Sequence, residues 1–383
     1  MRFPEFTEPW ETAKLGAIAE FSKGTGISKE QRSETGLPCI LYGELYTTYT
    51  NEVIEEVVSK TDLDPTDLVK SQKNDVIIPS SGETAEDIAT ARCVTSDNVL
   101  LGGDLNIIRL VEPNDGRFMS YQLNGIRKYD IAKIAQGVSV VHLYGGDLKM
   151  LSVTFPQSPE QKKIADCISL LDRRISVQSG LIEDLQKLKA ALVERLFCNK
   201  LGWKRYKYRD LLSPISERNS GNQFSNVLSA SQELGMVSRT DLDIDIKFDR
   251  SAVTTYKIVR DGDYVLHLRS FQGGLAFSSM TGICSPAYTI LRPVKELEYG
   301  FFQEYFMSKS FINSLRLVTY GIRDGRSINV DEFLDMPVEI PDSATQCRII
   351  SILSIMNRRL RLGIKQKENY IKQKQYLLQQ MFI

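Results

Sequence analysis

Two long segments of the chain carry apolar residues at steps of three, four and seven positions, which places them on one face of a helix. The first follows Pro156 and runs to Phe197, and the second follows Pro341 and runs to Phe382. Each helix is expected to have about 38 residues and a length of roughly 57 Å. The apolar residues predicted to pair the helices are Ile164, Ile168, Leu171, Ile175, Ile182, Leu185, Leu192, Leu196, Ile349, Leu353, Met356, Leu360, Tyr370, Leu377 and Met381.

The two segments are copies of one repeat, because they align without a gap at an offset of 185 residues. Proline lies just upstream of each copy, and Ser158 or Ser343 is a plausible N-cap. An internal repeat of this kind indicates a chain built from two similar halves. The identical pairs are Pro156/Pro341, Ser158/Ser343, Gln161/Gln346, Ile164/Ile349, Arg173/Arg358, Arg174/Arg359, Lys187/Lys372, Leu192/Leu377 and Phe197/Phe382.

A helix of this length cannot bury its apolar stripe against itself, so we expect the two copies to pack on each other as a coiled coil. The plainer alternative is two ordinary amphipathic helices, each packed in its own core. The pattern does not fix the orientation. An antiparallel pair would place the preceding globular domains at opposite ends.

The stretches before the helices are predicted to be mainly β-structure. Short β-branched segments bounded by turn residues occur at 75–79, 98–101 and 105–111, and again at 263–268 and 287–292. Short helices are predicted at 120–135 and 299–317. We therefore predict an α+β fold with a pseudo-two-fold repeat. Its parts are a first globular domain at 1–155, a first long helix at 156–200, a second globular domain at 201–341 and a C-terminal helix at 342–383.

The formal charge of the chain sums to zero, but its distribution is uneven. Residues 1–155 carry 23 acidic and 15 basic side chains, a net charge of −8, whereas residues 343–383 carry 1 acid and 8 bases, a net charge of +7. A net charge of zero taken alone counts against a nucleic-acid-binding protein. A neutral chain can nevertheless present a basic face or share a groove with a basic partner. Six scattered cysteines and no secretory signal lead us to expect a cytoplasmic protein.

The motifs of a catalytic site are missing from the sequence. No glycine-rich loop for a nucleotide and no Asn/Asp-Pro-Pro-Tyr/Phe segment for a flipped base are present. The two histidines, His142 and His267, lie in strand-like surroundings, where a structural role is the default and a base contact at His267 the alternative. The carboxylates at 83–87 fit a solvated loop better than a metal site. We expect no metal, no bound cofactor and no catalytic residue.

Several segments resemble the specificity (S) subunits of type I restriction-modification systems. They are Trp10-Glu-Thr-Ala-Lys-Leu-Gly-Ala-Ile, its weaker copy beginning at Trp203, Lys73-Asn-Asp-Val-Ile-Ile-Pro-Ser-Ser-Gly82, Gln136-Gly137 to Leu148, and Phe155-Pro to Phe197. The second half departs from the pattern at Thr345-Gln346-Cys347 and at 266–270. The resemblance nevertheless spans nearly the whole chain.

This resemblance implies two target recognition domains, each of which reads one half of a split, asymmetric site in double-stranded DNA. It implies an antiparallel pair of spacer helices that sets the gap between the half-sites. Two modification (methyltransferase) subunits would dock on the helices, and restriction (motor-nuclease) subunits would join through the complex. S-adenosylmethionine, ATP and Mg²⁺ would serve those partners, and this chain would not be an enzyme by itself.

Polar loop residues that can pair with base edges are the candidate DNA readers. For each, the alternative is an ordinary exposed loop side chain. The other functions that we consider are a coiled-coil scaffold with no role in DNA reading and an enzyme acting alone, such as a fused methyltransferase. The candidates are Lys23, Tyr42, Glu44, Tyr46, Ser80, Ser81 and Glu83 in the first half, and Arg218, Ser231, Gln232, Arg269, Gln272, Arg323 and Arg326 in the second.

Overall fold

The computed structural model describes residues 2–137, 140–198, 200–231, 234–241, 250–267, 269–294, 297–320 and 327–382. It divides into two compact units, one made of residues 1–179 and 365–383 and the other of residues 180–364. Both units mix strands with helices, so the predicted α+β class is confirmed.

The first unit is built on a five-stranded sheet in the order β2-β10-β6-β8-β4. A three-stranded sheet, β5-β3-β9, and the pairs β1-β12 and β7-β11 complete it. Its strands are β1 Glu11–Lys14, β2 Ala19–Lys23, β3 Leu37–Ile40, β4 Val53–Ile54, β5 Ser59–Thr61, β6 Asp75–Pro79, β7 Ser81–Gly82, β8 Arg92–Val94, β9 Leu100–Leu101, β10 Leu105–Leu110, β11 Val141–His142 and β12 Ser152–Phe155. Its short helices are α1 Leu15–Ile18, α2 Glu44–Thr47, α3 Ala85–Ile88, α4 Gly116–Asn124, α5 Lys128–Ile134 and α6 Gly145–Lys149. The long helix α7, Ser158–Cys198, follows.

The second unit repeats this plan around a four-stranded sheet in the order β14-β21-β18-β19. The pairs β13-β24, β15-β16, β17-β20 and β22-β23 surround it. Its strands are β13 Lys204–Lys207, β14 Leu212–Ile215, β15 Leu228–Ser231, β16 Gly235–Ser238, β17 Lys257–Val259, β18 Tyr264–Leu266, β19 Ala276–Phe277, β20 Gly282–Cys284, β21 Thr289–Pro293, β22 Thr319–Tyr320, β23 Ser327–Ile328 and β24 Pro337–Ile340. Its helices are α8 Tyr208–Leu211, α9 Ser270–Gly273, α10 Lys309–Ser314, α11 Val330–Asp335 and the long α12 Ser343–Gln380.

The long helices α7 and α12 run antiparallel within each unit. In the first unit, Lys374 lies 2.6 Å from Asp172, and the guanidinium of Arg174 lies 6.0 Å from the ring centre of Tyr370. Residue numbers therefore rise along α7 as they fall along α12. In the second unit, the end of α7 and the start of α12 line one groove, which gives the same orientation.

The helix ends also belong to the cores of the globular domains. Ile164 and Ile168 of α7 pack in the core of the first unit, and Ile349 and Leu353 of α12 pack in the core of the second. All fifteen residues predicted to pair the helices are buried or half-buried. The apolar stripe of each long helix thus packs against both the other helix and the adjacent globular domain. The structure therefore combines the two arrangements that the sequence left open, a paired coiled coil and helices packed in separate cores.

A phenylalanine at the end of each long helix anchors it to a domain. Phe382 packs 5.0 Å from Phe118, between ring centroids, in the first unit. Phe197 packs 5.3 Å from Phe301 in the second. All four rings are buried. Each unit therefore contains the start of one long helix and the end of the other.

A glutamine in the first turn of each long helix links the helix to its globular domain through the same two kinds of hydrogen bond. Gln161 accepts the N–H of Asp115 at 2.9 Å and donates at 2.8 Å to the carbonyl of the proline five residues before it. Gln346 accepts the N–H of Glu298 at 2.9 Å and donates at 3.1 Å to its own preceding proline. Both glutamines are buried, so each fixes the domain to the helix start.

Two predicted short helices differ from those observed. The helix predicted at 120–135 is instead α4 and α5, separated at Gly125, whose N–H closes the last turn of α4 on Tyr121. The helix predicted at 299–317 is wrong as one element, because it consists of α10 between two short 3₁₀ turns, Tyr305–Met307 and Leu315–Val318. The Ser308 hydroxyl caps α10 by accepting from the N–H of Phe311 at 3.2 Å.

Candidate nucleic-acid interface

One end of the central sheet of the first unit gathers several predicted reading residues. Lys23, at the end of β2, is in register with Asn106 of β10, which is in register with Ile78 of β6. The loops that follow β2 and β6 therefore leave the sheet at the same end of its strands. Lys23 is exposed there, beside the start of the loop at 80–83.

The two predicted serines hold this loop in place. Ser80 is buried, donates its N–H to the carbonyl of Asp104 at 2.7 Å and accepts the N–H of Leu143 at 3.0 Å. Ser81 is half-buried and pairs with His142 across the β7-β11 ladder. The backbone of the loop is thus fixed from both sides, and Glu83 is left exposed beyond it.

Tyr42, Tyr46 and Glu83 come together on the surface. The two tyrosine rings are exposed, at 36% and 37% of their surface. Partial burial raises the pKa of the Tyr46 hydroxyl, and the neighbouring Tyr42, Asp87 and Glu83 raise it further. The segments at 42–46 and 83–87, which include parts of α2 and α3, therefore form one patch of hydroxyl and carboxylate groups.

Glu44 lies on α2 but is directed inward, away from this patch. It is 5% exposed, accepts the N–H of Leu41 at 2.9 Å and forms an ion pair with Arg32 at 3.4 Å. The Ser59 hydroxyl also donates to it. These bonds make Glu44 a support for the loop that carries Tyr42 and Tyr46.

The sequence reasoning did not include two exposed aromatic residues at the same edge. His142 and Tyr144 are both exposed, and their ring centroids lie 6.2 Å apart in a nearly parallel arrangement. His142 lies opposite Ser81 in the β7-β11 ladder. The available signal was the alternation Val-His-Leu-Tyr, which in a strand places His142 and Tyr144 on one face.

The second unit has an equivalent sheet end. Strand β14 ends where β18 ends and β21 begins, because Ile215 and Val265 are both in register with Ile290. Arg218 follows β14, and Arg269 and Gln272 follow β18 in and beside α9. All three side chains are exposed. Ser231 is half-buried at the end of β15, whereas the predicted Gln232, Arg323 and Arg326 lie outside the described residues.

His267, beside Arg269, is buried rather than presented to a ligand. Its Nδ1 accepts the N–H of Arg269 at 3.3 Å, and its side chain also bonds to the backbone of Gly274. Burial lowers the pKa of His267 to about 4. His267 is therefore neutral at physiological pH and positions the loop that carries Arg269.

An ion pair of the same geometry joins two strands of the central sheet in both units, at the end of the sheet opposite to the exposed reading residues. Asp75, at the start of β6, receives two bonds from Arg109, at 2.8 and 2.7 Å, and one from the N–H of Gln72 at 2.8 Å. In the second unit, Asp263 receives two bonds from Arg292 at 2.8 and 2.9 Å. Both aspartates are 1% exposed. The framework is repeated although the exposed residues of the two sheet ends differ.

In the described ranges, no group of three or more histidine, cysteine, aspartate or glutamate side chains is placed to hold a metal ion. None of the helices that can be described combines the length and apolarity needed to cross a membrane.

Residues 7–187 match the family model of the type I restriction modification DNA specificity domain. A type I restriction-modification system S subunit from M. genitalium has a similar fold, with a TM-score of 0.63, 16% sequence identity and coverage of 100% of this chain and 99% of that one. A second structure, from work on complex assembly and conformational transition of the type I R-M system, gives a TM-score of 0.58 at 14% identity, with 98% of each chain covered.

At these identities the structural likeness establishes the fold, and the family match adds the DNA specificity domain. The resemblance in the sequence is confirmed on both counts. Residues 7–187 therefore carry the type I restriction modification DNA specificity domain, and the chain has the fold of the S subunits along its whole length.

Proposed function

We propose that each unit reads one half of a bipartite, asymmetric DNA site with the exposed end of its central sheet. The observation that carries this proposal is the repeated framework with different exposed residues. Asp75–Arg109 and Asp263–Arg292 match in geometry. The exposed side chains at the opposite end of each sheet do not match, since the first unit presents Tyr42, Tyr46 and Glu83 and the second presents Arg218, Arg269 and Gln272. Two similar supports with different surfaces suit two different targets.

The exposed side chains have the chemistry for reading bases. In the major groove a glutamate such as Glu83 accepts from the amino group of cytosine, an arginine such as Arg269 pairs with guanine, and a glutamine such as Gln272 pairs with adenine. Lys23 is placed to contact a phosphate, which positions the protein without selecting a sequence. These contacts are assigned as part of the proposal.

The net charge of −8 on residues 1–155 indicates that this domain does not hold DNA by itself. Neutralising the phosphates of a duplex requires basic side chains, and their number sets the salt dependence of binding. We propose that modification subunits supply most of this positive charge, and that the specificity subunit contributes the base contacts.

A second apolar stripe on α7 is a suitable surface for those modification subunits. Leu170, Val177, Leu181 and Leu188 are 50–73% exposed and recur at steps of seven, four and seven residues. On α12, Ile355 and Leu362 occupy positions equivalent to Leu170 and Val177 and are 58% and 59% exposed. Exposed apolar stripes on helices favour docking of partner helices.

The repeat suggests two equivalent docking positions, hence two modification subunits, with restriction subunits joining through the complex. In this proposal methyl transfer from S-adenosylmethionine and ATP- and Mg²⁺-dependent cleavage belong to the partners, and this chain contributes no catalytic residue. The complex would act on DNA in the cytoplasm.

Methylome sequencing of a host carrying the complete system tests the proposal. Tyr46→Ala with Glu83→Ala should change or relax the methylated sequence in one half-site only, and Arg269→Ala with Gln272→Ala should do so in the other. Glu56→Ala is the control, because that side chain is exposed outside the sheet end. If either pair of substitutions left the methylated sequence intact, or altered both half-sites alike, the assignment of one half-site to each unit would be wrong.

A further inference from the structure

The N-terminal segment of the chain covers the start of α7 in the first unit. Arg2 forms a two-bond ion pair with Glu160, with both distances 2.7 Å. Lys163 pairs with Glu5, and its ammonium lies 4.8 Å from the ring centre of Phe3. Phe3 packs against the core of this unit. The backbone of this segment turns between Phe3 and Phe6, whose N–H donates to the Phe3 carbonyl at 3.1 Å. A short turn with an aromatic residue and an acid therefore binds this helix face.

The equivalent face in the second unit is an open groove of about 440 Å³. We call it the α7–α12 groove. It is lined by Leu192, Arg195, Leu196, Trp203, Thr345, Arg348, Ile349 and Ile352.

The helix residues that line the groove correspond to residues of the covered face in the first unit at the repeat offset of 185 residues. Arg348 corresponds to Lys163, which holds Glu5 and Phe3 in the first unit. Trp203 begins the second globular domain as Trp10 begins the first. The residues before Trp10 form the covering segment, whereas the residues before Trp203 include the end of α7 itself. The second unit therefore has the binding surface without an equivalent segment ahead of its tryptophan.

The α7–α12 groove is more positively charged than the covered face of the first unit. Thr345 replaces Glu160, so the acid that binds Arg2 has no counterpart, and Arg195 replaces Gln380, which adds a positive charge. Asp342 accepts the N–H of Thr345 at 2.8 Å. The hydrogen bonds with Thr345 lower the pKa of the Asp342 carboxyl, and Arg348 lowers it further, although no Asp342–Arg348 ion pair within 4 Å occurs in the described part of the chain. The groove thus presents two exposed arginines beside apolar side chains.

We propose that the α7–α12 groove binds a short segment of a partner protein that carries an aromatic residue flanked by acidic residues. The aromatic ring would pack on Trp203, Leu196 and Ile349, and the acids would pair with Arg195 and Arg348. Such charge pairs at the edge of an apolar site favour a partner of opposite charge and disfavour a basic one. This surface is separate from the sheet ends.

Fluorescence anisotropy with a labelled peptide and the full chain tests this inference. The probe is Glu-Phe-Pro-Glu-Phe-Thr-Glu, which copies the segment Phe3 to Glu8 and carries a glutamate in place of Arg2. A matched peptide with lysine at each glutamate is the comparison. We expect the acidic peptide to bind at least about tenfold more tightly than the basic one, and Arg348→Glu to weaken it by about tenfold.

Arg359→Glu is the control variant, because Arg359 is an exposed arginine of α12 outside the groove. It should change the affinity less than about twofold. The inference is overturned if the acidic peptide fails to bind at up to about 1 mM, if the basic peptide binds equally well, or if Arg348→Glu and Arg359→Glu have the same effect.

Discussion

The ammonium nitrogen of Lys374 lies 2.6 Å from Oδ1 of Asp172, in a contact that is largely buried in the first unit. The Tyr121 hydroxyl donates to the other carboxylate oxygen at 2.6 Å, and Glu52 is a second acid paired with Lys374. One cation from the end of α12 thus neutralises an acid on α7 and an acid in the domain.

The second unit repeats this cluster with its acid in a different place. Lys189, the equivalent of Lys374 on the repeat, lies 2.6 Å from Glu304. Asn357, the equivalent of Asp172, donates to the same glutamate at 2.7 Å. The acid has moved from the helix to the domain while the lysine has kept its position. The lysine therefore fixes the end of each long helix to its domain by the same physical means.

We predict that Lys374→Met destabilises the chain by about 3 kcal/mol, because it removes the ammonium group that pairs directly with two buried carboxylates. Burial already raises the pKa of Asp172, and Lys374 opposes that rise. Urea unfolding measures the effect. Lys372→Met, an exposed position on the same helix, should leave the midpoint unchanged. Equal effects of the two substitutions would contradict a stabilising role for the cluster.

The ion pair between Asp75 and Arg109 gives a second prediction. Arg109→Met should lower the free energy of unfolding by about 2 kcal/mol, since Asp75 remains buried and keeps only its backbone donor. Arg292→Met should have a similar effect in the second unit. Arg173→Met removes a pair with Glu55 in which both side chains are more than half exposed, so it should not shift the unfolding midpoint. The framework argument fails if Arg109→Met behaves like Arg173→Met.

The sequence predicted the elements whose signal is periodic or repeated. Both long helices and the internal repeat were evident, because apolar spacing over many turns leaves few alternatives. The strand at 75–79 was predicted with the bounds that the structure gives it.

Interactions between residues far apart in the chain could not be predicted. Nothing local to Asp75 points to Arg109, 34 residues away, and the relocated acid at Glu304 hides its equivalence to Asp172. Glu44 looks like a surface carboxylate until the fold brings Arg32 and Ser59 to it. The segment at 299–317 was predicted as one helix, but the rings of Phe302, Phe306 and Phe311 pack around Tyr208, a distant residue that the local pattern does not include.

Tyr46 and Glu44, two residues apart on α2, should respond differently to substitution. Tyr46→Ala is expected to weaken DNA binding by the assembled complex by about 1–3 kcal/mol with no change in stability, because its ring is exposed. Glu44→Ala is expected to lower stability by about 2 kcal/mol, because Leu41 and Ser59 lose their acceptor. Thermal unfolding measures the stability of both variants, and DNA titration measures their binding. If Tyr46→Ala lowered stability and Glu44→Ala did not, the roles assigned to the two residues would be wrong.

His267 predicts a pH dependence in the second unit. Its pKa is lowered from 6.5 to about 4 in the folded chain, so the unfolded chain binds the extra proton more readily. Stability from this residue is therefore complete above about pH 6.5 and is lost as the pH falls towards 4, by up to about 3 kcal/mol. His267→Gln should remove this part of the acid sensitivity in urea titrations between pH 7 and pH 4. His142→Gln, at an exposed histidine, is the matched control and should keep the wild-type pH profile.

The proposed spacer role of the long helices predicts a change in the gap between half-sites. Four residues add about 6 Å of helix, which corresponds to roughly two base pairs of duplex. A matched insertion after Gly180 in α7 and after Gly363 in α12 lengthens both helices by the same amount, and it should lengthen the methylated site by one or two base pairs. Gly180→Ala is the control without added length, because its new Cβ meets no atom within 4 Å. Methylome sequencing reads the gap directly. If the inserted variant methylates DNA with the original spacing, the helices do not set the distance between the half-sites.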